Sequence, residues 1–163
     1  MIEQLTDLVQ RTRQHHGIEH ATIHILTARH PGKRFTGLSD PLGFTILGDM
    51  GEPDLRRAVG DALLRLQAGE DHLAIHPNCG TNLATTAFLV TFAAMLGTTG
   101  KRDSLDKFTS TLFLVTAALL AAPKLGMFFQ AYTTTGAVSD RWVEEIRPFR
   151  LAGKSAFRVN FSR

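Results

Sequence analysis

The chain has 163 residues, 44% of them hydrophobic and 20% charged, with a formal net charge of +3, which is enough for one domain with a core of its own. The basic residues are scattered and form no Lys/Arg-rich run interleaved with aromatics, which argues against a nucleic-acid partner. The single cysteine, Cys79, excludes an internal disulfide framework.

The opening stretch MIEQLTDLVQ carries acids and no basic leader, so it does not read as a signal peptide. Residues 2–28 read as a helix closed by the breaker His30-Pro31-Gly32. With His16 as origin and about 100° per residue, Ile2, Leu5, Val9 and Ile23 fall within about 40° of it, and Leu8 and Leu26 near about −80°. His20 and Glu19 fall inside this apolar stripe, flanked by His15 and His24. The stretch HHGIEHATIH is therefore expected to turn imidazoles and a carboxylate inward. Such burial is costly unless each group finds a partner.

His16 and His20, four apart on a helix, can reach one ion. H-x-x-E-H is the inverted zincin pattern, in which the glutamate serves as base for a water activated by the metal. The competing reading has the histidines bonded to backbone carbonyls or to Glu19, and the five-residue motif leaves both open.

Next, RFTGLSDPLGFTILGDM alternates around Ser39-Asp40-Pro41 and predicts a hairpin of two short strands. Glu52-Pro53-Asp54 opens a second helix that runs to Gly69. DHLAIHP is a short strand candidate with His72 and His76 on one face. In the tight turn HPNCGTN, Cys79 follows His76 by three, a spacing suited to a metal knuckle. His16, His20, His76 and Cys79 then make a full tetrahedral set; without His76, three ligands leave a position open. Asp40 and Asp49 are candidates to orient a liganding histidine, although Asp40 also suits a plain Asp-Pro turn.

Thr81 or Asn82 is expected to cap a following apolar helix. Thr81 to Gly100 is free of charge, as is Phe108 to Pro123. A membrane span needs about 20 mostly apolar residues, and Ala93/Gly97 and Ala118/Ala122 suit close helix packing in lipid. The alternative is a pair of core helices in a soluble bundle, which would normally carry a polar stripe. Pro123 and Lys124 are expected to mark a kink or an interfacial exit. Eight basic residues precede the hairpin, three lie in its connecting stretch KRDSLDK and seven follow Pro123; if both termini share one side, this places them in the cytoplasm. The tail predicts a short helical stretch around Trp142 and a final strand, AFRVNF.

HHGIEHATIH and HPNCGTN together resemble an uncharacterised family of bacterial membrane proteins carrying a domain of unknown function, over roughly residues 14 to 100. A second such family shows a similar pair, H-G-x-E-H and a later C-G-T before a membrane segment. The resemblance implies that His16, Gly17, Glu19, His20, Cys79, Gly80 and Thr81 form a unit in a protein of the bacterial inner membrane. It supplies no activity.

The expectation is an α+β protein: a helix and β-hairpin metal-binding module over 1–80, a two-helix transmembrane hairpin over 81–139, and a C-terminal tail over 140–163 packing on the module. One zinc ion is expected on His16, His20, His76 and Cys79. Glu19 acts as base if the protein is a membrane-associated hydrolase. Otherwise the zinc is structural and the protein is an assembly or interaction subunit. The expected partners are membrane lipid and, beyond it, another membrane protein or a second copy of the chain.

Overall fold

The structure, a computed structural model, describes residues 2–139, 141–151 and 153–162. Asp140, the first residue of the expected tail, lies outside them. The chain divides into two compact units, one of Met1–His76 with Thr134–Arg163 and one of Pro77–Thr133.

The first unit is an α+β fold. Helix α1 spans Ile2–Arg29, strands β1 and β2 span Thr36–Asp40 and Gly43–Leu47, and helix α2 spans Glu52–Gln67. Strands β3 (Val143–Leu151) and β4 (Lys154–Phe161) return from the far end of the chain. They extend the hairpin into an antiparallel sheet of order β1-β2-β4-β3, with Phe44 opposite Val159 and Ile46 opposite Phe157. Ile18, Leu26, Phe44, Ile46, Leu55, Val59 and Val159 are fully buried between sheet and helices. Each such side chain contributes roughly 1.5–3 kcal/mol of transfer free energy.

Two helical expectations change here. Helix α1 has no single apolar stripe: Gln14, His15, Ile18, Glu19, His20, Thr22, Ile25 and Leu26 are all buried. The cause is that the sheet, α2 and the segment 71–74 each cover a different side of its second half. Ile2, Leu5, Leu8 and Val9, expected inside, are exposed: among the described residues none packs over the first turns. The second change concerns Trp142. It is two-thirds exposed and leads into β3 rather than a helix, since its carbonyl pairs with Ser162 N–H across the sheet edge.

A third expectation fails at Asp71–Ala74, which forms one 3-10 turn instead of a strand. Gly69, with a φ of 91°, ends α2 in the left-handed conformation that glycine tolerates. The chain then coils tightly enough to bury Leu73 and Ala74 while leaving His72 exposed.

The second unit is a helical hairpin of α3 (Gly80–Thr98) and α4 (Ser104–Thr133). Both are long and apolar enough to cross a membrane, and only 11% of the apolar window of each is buried. A soluble core helix would be mostly buried. The helices meet along small residues: Ala93, Gly97, Ala122 and Gly126 are buried. A Cβ on Gly126 would come within 2.9 Å of Asn82 Cα, so only glycine permits this approach. Beside it, Gln130 Nε2 donates to Asn82 Oδ1 at 2.8 Å, the kind of interhelical bond that holds helices together in lipid. Cys79, not Thr81 or Asn82, caps α3, its sulfur accepting from Thr81 N–H. Helix α4 continues through Pro123 to Thr133. Proline removes one hydrogen bond but does not end a helix whose flanks remain strongly apolar.

Candidate metal centre

The histidines of HHGIEHATIH lie on α1 with the 3-10 turn and the residues after it. His16 and His20 have ring centroids 4.3 Å apart. His20 is buried, and its Nδ1 lies 2.6 Å from the Ala74 carbonyl oxygen. A carbonyl only accepts, so Nδ1 carries the proton and Nε2 presents the lone pair. Burial, followed by the neighbouring His16, lowers the pKa of His20 to about 3 and keeps its ring neutral. Burial also lowers that of His16. A neutral imidazole whose second nitrogen is tied to a carbonyl is the form in which histidine ligates metals.

His24 Nε2 lies 2.8 Å from the Ile75 carbonyl, and His15 Nδ1 lies 2.9 Å from the Asp40 carbonyl. The backbone-bonded reading of these histidines is thus correct for one nitrogen each, and it leaves the other nitrogen of each ring for a different task. His15 is not a flanking residue. It is buried and stacks on Phe161 with centroids 4.9 Å apart. His76 lies nearer to His24, at 4.9 Å between centroids, than to His20, at 5.6 Å.

Glu19 is 3% exposed and faces β1. Its Oε2 accepts from Ser39 Oγ at 2.5 Å and lies 3.7 Å from His16 Nδ1. Burial raises the carboxyl pKa to about 7, against the opposing pull of the Ser39 hydrogen bond. That places it where a proton can be taken or released near neutrality. Ser39 carried no signal in the sequence beyond its place in a turn.

Asp40 divides its roles. Its carbonyl holds His15, while its carboxylate caps Leu42 N–H at 2.8 Å and receives two bonds from Arg158 at 2.6 and 2.7 Å. Asp49 pairs instead with Lys33 on the surface. A further buried polar pair that the sequence did not flag anchors α1. Gln14 Oε1 accepts from Arg141 Nε at 2.8 Å, and Gln14 Nε2 donates to the Ala137 carbonyl.

The glycine of the motif has a steric cause, since a Cβ on Gly17 would stand 2.8 Å from the Thr134 carbonyl oxygen. Among the described residues, His16, His20 and Cys79 have the donor types of a group that could hold a metal ion. Cys79 follows His76 by three residues, at the start of the second unit.

An α+β unit with a close pair of imidazoles, one of them buried, joined in the chain to two apolar helices of spanning length, defines a class of protein: a candidate membrane protein with a possible metal centre. The chain belongs to the DUF6391 family, a domain of unknown function, whose family model matches residues 11–146. It is also 37% identical over 147 residues to an uncharacterised protein of the cyanobacterium Picosynechococcus sp., covering 83% of this chain and 71% of that one. No solved structure matches.

Proposed function

We propose that this is an integral protein of the bacterial inner membrane that binds one zinc ion through His16, His20 and Cys79, with Glu19 beside the ion. The observation that carries this reading is His20, a buried neutral imidazole whose Nδ1–H is committed to Ala74 and whose Nε2 is the basic nitrogen. Two imidazoles and a thiolate are a common zinc donor set, and three protein ligands leave the fourth position open. An open position and a carboxyl poised near pH 7 support metal-dependent hydrolysis, in which Glu19 takes the proton from an attacking water. A membrane peptide or a lipid is the substrate class for a site attached to membrane helices.

The hydrogen bond from Ser39 favours a second reading. A carboxylate held by a hydroxyl and 3.7 Å from a ligand's ring nitrogen suits an orienting acceptor in a structural site.

Zinc content of the purified protein tests the first step. About one ion per chain is expected in wild type and much less in His20→Ala and Cys79→Ser; near-zero zinc in all three overturns the proposal. Glu19→Gln separates the two readings. In a hydrolase it keeps zinc and loses turnover of a membrane peptide or lipid. In a structural site it weakens zinc about 10- to 100-fold, with no turnover in wild type to lose.

A further inference from the structure

His16, His20 and His24 follow one another at four-residue steps along α1, and His76 faces the last two of them. The ring centroids are 4.3 Å apart from His16 to His20, 5.6 Å from His20 to His76 and 4.9 Å from His76 to His24. Burial changes along the row: His20 is 3% exposed, whereas His24 and His76 on one side of it and His16 on the other are half-buried. His24 and His76 therefore lie within reach of water beside the enclosed imidazole.

His24 has the same tautomeric constraint as His20, with the nitrogens exchanged. Its Nε2–H is committed to the Ile75 carbonyl, which makes Nδ1 the lone-pair nitrogen. Two imidazoles at this separation offer a divalent ion two ligands, and water supplies the rest. A site with so few protein ligands holds its ion weakly and exchanges it readily, whereas a closed set of nitrogen and sulfur donors holds it firmly.

We propose that His24 and His76 form a second, weaker station for a divalent transition-metal ion, through which the ion passes to the His16–His20 pair. This rests on the metal-binding reading above. In the transfer the ion keeps its charge. A water and the rings of His24 and His76 leave the ion as His20 Nε2, His16 and the Cys79 sulfur bind it; no electron moves, and the thiol proton of Cys79 passes to water. The proposal also accounts for His76 lying closer to His24 than to His20.

Cobalt(II) added to the metal-free full-length protein in detergent tests it, because a cobalt–thiolate bond has a charge-transfer absorption that an imidazole-only station lacks. The expected wild-type result is two equivalents bound, the tighter one carrying the band and the weaker one adding none. His24→Ala is expected to keep the banded equivalent, lose the second, and slow the rise of the band several-fold after rapid mixing. His76→Gln, changed on the opposite side of the pair, should do the same, which guards against a folding defect in one variant. Wild type with one banded equivalent, and the same rate of rise in both variants, overturns the station while leaving the main site standing. Wild type that binds no cobalt overturns the metal-binding reading itself, and the station with it.

Discussion

Gly37 on β1 is the wall against which the Glu19 carboxylate rests: a methyl group built at residue 37 would occupy the position of the Glu19 side-chain carbons and Oε1. The overlap is with the end of a side chain, so Gly37→Ala can be accommodated only by moving Glu19 away from Ser39. That breaks the 2.5 Å bond from Ser39 Oγ and strains a packed strand, at a cost of roughly 1–3 kcal/mol. If this relationship holds, Glu19→Ala removes the obstacle. The double variant Gly37→Ala/Glu19→Ala should then be more stable than the sum of the two single effects predicts, by about 1 kcal/mol or more. Thermal unfolding of the four proteins measures it, and strict additivity refutes the contact.

A pH dependence follows from Asp40. Two bonds from the Arg158 guanidinium hold its carboxyl below the ordinary carboxylate value of 3.8. A depressed folded pKa means that this contribution to stability is present above the unfolded value. It is lost as pH falls from about 4 through the folded pKa. Because the Asp40 side chain is 46% exposed, solvent screening limits the effect to about 1 kcal/mol or less. Asp40→Asn should therefore melt below wild type at pH 7, with a gap that is smaller at about pH 3. A gap of equal size at both values would show that the Asp40 charge is not what stabilises the β1–β4 side of the sheet.

Several features were readable in the sequence because each is encoded locally. Helix α1, the Asp40-Pro41 hairpin, α2 behind Pro53, the final strand and the two apolar helices all follow from periodicity, turn residues and charge-free length. The errors fall where distant segments decide. The face of α1 could not be read from a helical wheel, because sheet, α2 and the 3-10 turn bury it on three sides. Residues 71–76 are too few for alternation to tell a strand from a tight coil. The stretch from Trp142 became a strand through its partner, β4.

In the candidate site, spacing brought His16, His20 and Glu19 to attention. The hydrogen bonds that define their chemistry come from the Ala74 carbonyl and from Ser39. A backbone carbonyl leaves no trace in residue type, and a serine in a turn is unremarkable.

The last prediction concerns how the chain meets the bilayer. Helices α3 and α4 are antiparallel neighbours joined by a short loop at residues 99–103, and each is long enough to span the hydrocarbon core: 19 and 30 residues, or about 28 and 45 Å at 1.5 Å per residue. If both span, the loop lies on one side of the membrane, and the segments before Gly80 and after Thr133 lie together on the other. With eight basic residues before the hairpin and seven after Pro123, against Lys101 and Arg102 in the loop and Lys107 in the first turn of α4, charge bias assigns the shared side to the cytoplasm. In a Cys79→Ser background, a single cysteine at Ser104 should react with an impermeant thiol reagent on intact cells. One at Ser155, exposed on β4, should react only after the inner membrane is opened. Labelling of both positions on intact cells would contradict the topology. Release of the protein by alkaline carbonate without detergent would go further and show that the apolar helices are not in the bilayer at all.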